Sequence, residues 1–389
     1  MRADIDQILK ALKTVLPPSD RPIGLHEPEF GAAERAYVLD CIDSTFVSSV
    51  GKYVDRFEEM LAEFTGARRA VAVCNGTAAL HVALEVAGVV RGDEVLVPAL
   101  TFIATANAVS YCGARPHFVD SSGASLGLDP DKLDDGLARI AHMVNGACRN
   151  RETGARISAV VPMHTFGHPM AIDRLLGVAA KWNLAVVEDA AESLGSTYRG
   201  KHTGRFGAMG TLSFNGNKTI TTGGGGAVIT DDEALGKRLK HLTTTAKMPH
   251  AWAFGHDAVG YNYRMPNLNA ALGCAQIEKL PAFLAEKRAL AARYRSAFSQ
   301  VPGVTFVSEP ADSQSNYWLN ALLLDEDSAD LLQPLLERTN ASGVGTRPVW
   351  TLMHHLPMYA ACPRMDLSVA ESLARRLVNI PSSPILGRS

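Results

Sequence analysis

Leu184-Ala185-Val186-Val187-Glu188-Asp189 opens the stretch that decides the fold, and Thr211-Leu212-Ser213-Phe214-Asn215-Gly216-Asn217-Lys218-Thr219, followed by Gly223 to Gly226, completes it. A short apolar run closed by an acid, with polar and glycine-rich sequence behind it, reads as a buried strand that delivers the acid at its C-terminal end. Asp189 is thereby placed at the rim of a sheet. Most lysines are solvated surface groups, but Lys218 stands among small and hydroxylated residues. The glycines beside it let backbone come close to a flat or phosphorylated ligand. An amine desolvated in such a place has a lowered pKa and can attack a carbonyl to form a Schiff base. An aspartate nearby could keep a pyridinium nitrogen protonated and so make a pyridoxal ring an electron sink. The pair suggests pyridoxal phosphate.

Outward from this stretch, strand and helix signals alternate. Strands are expected at Ala70–Cys74, Glu94–Pro98, His117–Val119, Ser158–Pro162, Leu184–Val187 and Ala227–Thr230, with helices at Thr77–Val86, Phe102–Tyr111, Ile172–Trp182 and Asp232–Leu242. Such alternation implies right-handed crossovers and a mainly parallel sheet covered on both faces, an α/β fold that binds ligands beyond the carboxyl ends of its strands. Asn75-Gly76-Thr77-Ala78 joins a strand to a helix, so the N–H groups of Gly76, Thr77 and Ala78 point from a helix N-terminus that favours an anion. An ordinary N-cap would look the same. His164 ends another strand and could touch ligand or serve, like His168, as a satisfied structural histidine. Thr243 to His250 is a loop whose Lys247 and His250 could meet a diphosphate or stay solvated. Arg264 could clamp a carboxylate with its planar fork or sit in a structural ion pair. His354-His355 has no third ligand at useful spacing, and no metal site is expected.

The 389 residues suffice for roughly two to three domains. Residues 3–16 have Ile5, Ile8, Leu9, Leu12 and Val15 on one side and read as an amphipathic helix ended by Pro17-Pro18. Further helices are expected near Gly31–Ser44 and Val54–Phe64, and a long one carries Leu280, Phe283, Leu284, Leu290 and Phe298. The expected division is 1–20 as an N-terminal helical appendage, packed on its own domain or on a partner, 21–299 as a large ligand-binding domain, and 300–389 as a small α+β domain. A net charge of -2 gives no reason to expect nucleic acid or an anionic membrane. Acids near the N-terminus argue against a signal peptide, and no apolar run approaches the ~20 residues of a spanning helix, so a cytoplasmic protein is expected. Six cysteines show no paired or zinc-type spacing and read as reduced, mostly buried thiols.

The segment from Asp189 to Gly226 resembles the DegT/StrS-type nucleotide-sugar aminotransferases, a fold-type I pyridoxal-phosphate family. Its lysine motif reads here Ser213-Phe214-Asn215-Gly216-Asn217-Lys218, then Thr221-Thr222-Gly223-Gly224-Gly225-Gly226. Many members carry His-Pro after the Phe and a Glu among the glycines; Asn215-Gly216 and Gly224 resemble the variant that aminates C4 of N-acetylated sugar nucleotides. Gly260-Tyr261-Asn262-Tyr263-Arg264-Met265-Pro266 is a further match. The resemblance implies a large domain with a seven-stranded, mainly parallel sheet sandwiched by helices. It further implies a cofactor, pyridoxal 5'-phosphate or its amine form, held by Gly76, Thr77, Ala78 and Ser213 at the phosphate, Phe102 on the ring, Asp189 at the ring nitrogen and Glu192 near the phenolic oxygen. Glu192 could instead hold a substrate amine.

In the family Asn262's counterpart reaches the neighbouring subunit's cofactor, which implies a homodimer with shared sites, and the segment matching Phe46 to Tyr53 lines the site's mouth. The implied reaction takes an amino group from an amino acid, L-glutamate, to C4 of a 4-keto-6-deoxy nucleotide sugar. A UDP-linked 2-acetamido sugar of the legionaminic-acid type, destined for surface glycan or nonulosonic acid, is the expected substrate. Two rivals stand beside this reading. Relatives that remove a C3 hydroxyl carry His where this chain has Lys218, and a non-catalytic cofactor- or nucleotide-binding regulator lacks support because the glycines fit neither phosphate-loop nor dinucleotide spacing.

Overall fold

Apolar runs of four or five residues become the strands of a central sheet. The computed structural model describes residues 2–388. Its large sheet contains β1 (Arg69–Val73), β2 (Glu94–Pro98), β3 (Arg115–Val119), β4 (Ile157–Val160), β5 (Ala185–Asp189), β6 (Met209–Ser213) and β7 (Gly226–Thr230), in the spatial order β1-β7-β6-β5-β4-β2-β3. The run β3, β2, β4, β5, β6 pairs in parallel. β7 is antiparallel to both neighbours, β1 and β6. The cause is the connection: residues 214–225 hold no helix to make the crossover a parallel return needs. Lys218 lies in that connection, at the edge where the parallel strands end.

The helices are α1 (Ile5–Val15), α2 (Ala32–Asp43), α3 (Lys52–Thr65), α4 (Gly76–Val86), α5 (Ile103–Tyr111), α6 (Pro130–Ile140), α7 (Ile172–Trp182), α8 (Glu233–Thr243), α9 (Asn267–Phe298), α10 (Leu332–Ala341) and α11 (Ser368–Ala374). Alternation along the strands decides what each covers. Val71, Val73, Val95, Val97, Val187 and Val228 face one cluster with residues of α4, α5 and α8. Ala70, Ala72, Leu212 and Ile229 face α3 and the first half of α9, and Leu96, Val160 and Val186 face α6 and α7. Both faces are therefore covered, as the near-continuous apolar strands require.

A second, antiparallel sheet has the order β8 (Val304–Phe306), β9 (Asn320–Leu324), β11 (Leu377–Ile380), β10 (Arg347–Pro348). Its core differs from the expected division at both ends. Ile8 and Leu12 of α1 are fully buried with Leu290, Tyr294, Phe306, Leu322 and Leu335. The N-terminal helix is thus a wall of the small domain. The 32-residue α9, with Pro281 inside it, runs from the large-domain core at Ala271 and Cys274 to the small-domain core at Tyr294 and Phe298. The expected boundary near residue 300 coincides with its end, while its second half already packs in the small domain. The six cysteines are unpaired, three of them buried, and no described helix is long and apolar enough to cross a membrane.

Candidate active site

A cavity of about 210 Å³ opens where the parallel strands end. Its lining includes Gly76, Thr77, Phe102, Asp189, Glu192, Ser213, Lys218, Trp318 and Trp350. β5 delivers Asp189, which is buried and accepts hydrogen bonds from the Thr105 hydroxyl (2.7 Å) and the Ala191 N–H (3.2 Å). Burial raises its carboxyl above the ordinary range, and these two donors and the Lys218 charge oppose the rise. A cationic ring N–H at this place would favour the ionised form further.

Lys218 Nζ stands 3.3 Å from Glu192 Oε1 and 3.8 Å from the centroid of the Trp318 ring. Glu192's other oxygen accepts the Phe166 N–H at 2.9 Å, and burial pushes its carboxyl up to about 7 against the pull of Lys218. Trp318 is held in turn, its indole N–H donating to the Asn217 carbonyl (2.7 Å) and its backbone N–H to Asn316 Oδ1 (2.8 Å). Asn316 Nδ2 donates to the carbonyls of Glu192 and Leu194, 2.9 Å each, and to the Thr219 hydroxyl. The segment entering β9 thereby fixes both sides of the lysine.

At the start of α4, Asn75 Oδ1 accepts the Ala78 N–H at 2.8 Å. Ala78 is therefore engaged by the cap and does not face the cavity. The N–H groups of Gly76 and Thr77 have no partner among the described residues, as the first turn of a helix leaves them. A Cβ on Gly76 would meet Ser213 Cβ at 2.9 Å, and one on Gly226 would meet the Asn75 carbonyl group at 2.6 Å. Only glycines let the turn and β7 interlock this closely. The result is a cradle of N–H and hydroxyl donors suited to a phosphate.

Several predicted residues lie elsewhere. His164 is fully buried, with Nε2 3.0 Å from Glu188 and Nδ1 accepting the Met170 N–H. Glu188 also accepts the N–H groups of Gly204, Phe206 and Gly207, so the pair locks the core behind the strands. Met163, the preceding residue, faces the cavity instead. His168 is buried edge-on to Tyr317 with both ring nitrogens unpartnered, and burial lowers its pKa to about 4. Lys247 lies over the Phe254 ring at 4.0 Å, and His250 Nδ1 accepts the N–H groups of Trp252 and Ala253. Arg264 forms no ion pair among the described residues, and its Nε is buried without a partner. Asn262 is exposed on this chain. Thr105, Asn316, Trp318 and Trp350 were not found by sequence reasoning, because no local spacing marks them.

The description DegT/DnrJ/EryC1/StrS aminotransferase family matches residues 28–389. The chain belongs to this family. It is 37% identical over 366 residues to GDP-perosamine synthase of Caulobacter vibrioides, covering 94% of each chain. The structure of DesI in the presence of its TDP-sugar product is similar, with TM-score 0.82, 30% identity and 96% of this chain against 91% of that one. The aminotransferase TlmJ from Streptoalloteichus hindustanus aligns with TM-score 0.83 and 27% identity, over 93% of both chains. Members of the DegT/DnrJ/EryC1/StrS family are pyridoxal-phosphate-dependent sugar aminotransferases, and this chain is an enzyme of that kind. Its cavity fits the cofactor: two unpartnered helix-end N–H groups and a serine hydroxyl at one end, a buried carboxylate at the other, and a lysine amine between.

Proposed function

We propose that the chain moves an amino group from L-glutamate to C4 of a nucleotide-linked 4-keto-6-deoxy sugar, and that this sugar is a UDP-linked 2-acetamido-2,6-dideoxyhexose on the way to a nonulosonic acid or surface glycan. The observation that carries the aminotransfer is Lys218 Nζ, turned into the cavity beside Glu192 and within the charge field of Asp189. Bound pyridoxal phosphate supplies a ring that accepts the electron pair left at the carbon losing its proton. Asp189 accepts the ring N–H and keeps it protonated. Gly76, Thr77 and Ser213 would hold the phosphate, and Phe102, which lines the same cavity, would offer its ring to the cofactor. The Lys218 amine would take the proton from the donor's α carbon as a general base and pass it on as a general acid within that half-reaction; in the second half-reaction, run backward, it would deliver a proton to sugar C4. Glu192 and Trp318 flank the Lys218 amine and favour its ammonium form while it carries a proton, the ring contact contributing about 0.5–2 kcal/mol.

The functional unit in this reading is a homodimer with shared sites. Asn262 is exposed, and Leu39, Ile42, Phe46 and Val50 leave an exposed apolar strip on α2 and the segment after it, each more than half exposed. Contiguous apolar exposure of this kind is characteristic of protein contacts.

The UDP-acetamido choice is supported by the Asn215-Gly216-Asn217-Lys218 variant and the Ser48-Ser49-Val50-Gly51-Lys52-Tyr53 segment. The relatives named for a GDP-linked amino sugar favour the other nucleotide. Mass spectrometry of purified enzyme, glutamate and a panel of UDP-, GDP- and TDP-linked 4-keto sugars decides between them. A new amine on the UDP-acetamido sugar is expected; amination of the GDP sugar alone overturns the nucleotide and leaves aminotransfer standing, and turnover by Lys218→Ala overturns the mechanism.

A further inference from the structure

His354 and His355 end a short 3-10 turn, Met353–His355, that follows Trp350 of the cavity wall. By sequence the two histidines lack a third ligand. The fold supplies one from α11: Glu371 Oε1 is 2.8 Å from His354 Nε2 and 3.1 Å from His355 Nε2. All three ligand atoms lie within 4.8 Å of one another. Adjacent side chains normally diverge, yet here the turn brings the two imidazole centroids to 4.1 Å, so that both rings aim at one carboxylate oxygen.

We propose that His354, His355 and Glu371 form a binding site for a divalent first-row transition ion of the zinc class, separate from the cofactor cavity, with water completing the shell. Two imidazoles and one carboxylate are the donor set of zinc sites that keep an open position. Tetrahedral zinc with bonds of roughly 2.0–2.1 Å holds its ligand atoms about 3.3 Å apart. The two carboxylate–imidazole separations, 2.8 and 3.1 Å, reach that value with spreading of about half an ångström or less. Imidazole donors select zinc, nickel, copper or cobalt over magnesium and calcium, which prefer all-oxygen shells.

Burial gives the site an anchored side and an open one. The His354 side chain is 6% exposed, those of Glu371 and His355 34% and 50%. The ion can therefore enter from solvent, and it binds the imidazoles neutral and the carboxylate ionised. Met353 N–H donates to the Ala99 carbonyl just beyond β2 at 3.0 Å. An ion would thus join the turn to α11, both of which already pack on the core of the large sheet.

The test is titration of the untagged, cofactor-loaded full chain with Co²⁺ alone, followed through its visible ligand-field bands, then displacement by Zn²⁺. One equivalent is expected to bind with a tetrahedral nitrogen/oxygen spectrum and no thiolate charge-transfer band. His355→Gln and Glu371→Gln should each weaken binding by more than the roughly 10–100-fold that loss of an outer partner costs. Neither change should alter aminotransferase turnover. Absence of saturable binding, a thiolate band, or wild-type affinity in both variants overturns the proposal. The wild-type spectrum alone decides the ligand type should either variant fold poorly, and none of these readings depends on which sugar the enzyme aminates.

Discussion

Glu192→Gln exchanges a buried carboxyl for a neutral amide of the same size, and its effect follows from the direction of one shift. Burial pushes the Glu192 carboxyl from 4.5 up to about 7, while Lys218 at 3.3 Å pulls the other way. A raised carboxyl binds its proton more tightly in the folded chain than in the unfolded one. Its contribution to stability is therefore fully present below 4.5 and is lost as pH rises through about 7. Each tenfold in proton affinity is worth ~1.4 kcal/mol, so the gap amounts to roughly 3 kcal/mol across that window. The amide cannot titrate there. Urea unfolding of the cofactor-free protein, wild type and variant, at intervals from about pH 5 to about pH 8 isolates this group from every other titration. Wild type is expected to lose roughly 2.5 kcal/mol relative to Glu192→Gln over that range. A difference that stays constant with pH refutes the shift. A difference of opposite sign shows that the Lys218 ion pair, not desolvation, sets the charge.

Lys218→Ala should retain cofactor without a borohydride-reducible bond to residue 218 and should show no turnover, read by intact-mass analysis and by single-turnover assay. Gly226→Ala places a methyl 2.6 Å from the Asn75 carbonyl group. It should cost about 1–3 kcal/mol as an overpacking change and weaken cofactor affinity, read by fluorescence titration, because the phosphate turn must move. Leu12→Ala removes a fully buried side chain of α1 from the small-domain core. A loss of roughly 2–5 kcal/mol in urea is expected, with cofactor affinity unchanged when measured under folding conditions.

Much of the large sheet was legible because its strands are short apolar runs closed by residues that line the cavity. Asp189, the Asn75-Gly76-Thr77 turn and Ser213 all stand at such exits, so finding the strand finds the site. Lys218 was legible through its glycine-rich connection. Trp318 and Trp350 were not, since they reach the cavity from chain segments 100 and 132 residues beyond Lys218. Trp318 is held by Asn316, and both depend on the path of the chain between the two sheets, which no periodicity encodes. Glu371 is the same case, brought to His354 and His355 by the placement of α11. The N-terminal helix was recognisable as amphipathic, but an apolar stripe does not say which core it covers.

His164 shows where a further step of sequence reasoning was available. It follows β4, and Met163 is in bridge register with Asp189 in the parallel pair. Registered neighbours in a sheet share a face, and adjacent residues alternate. Once Asp189 is taken to face the ligand, Met163 must face it too, and His164 and Glu188 must both turn to the opposite side. That is what is found: Met163 lines the cavity, while His164 and Glu188 bond to each other behind it at 3.0 Å. The sequence alone contains the alternation but not the register, and a one-residue slip would reverse every assignment. A chemically attractive histidine at a strand exit therefore carries little weight until its pairing with the strand of a known site residue is fixed. Conversely, Glu188 and His164 test the register itself. His164→Ala leaves the buried Glu188 without its imidazole and should destabilise the fold by roughly 1–3 kcal/mol while leaving the kinetic constants of the folded enzyme near wild type; a selective loss of kcat with unchanged stability would place His164 on the ligand side after all.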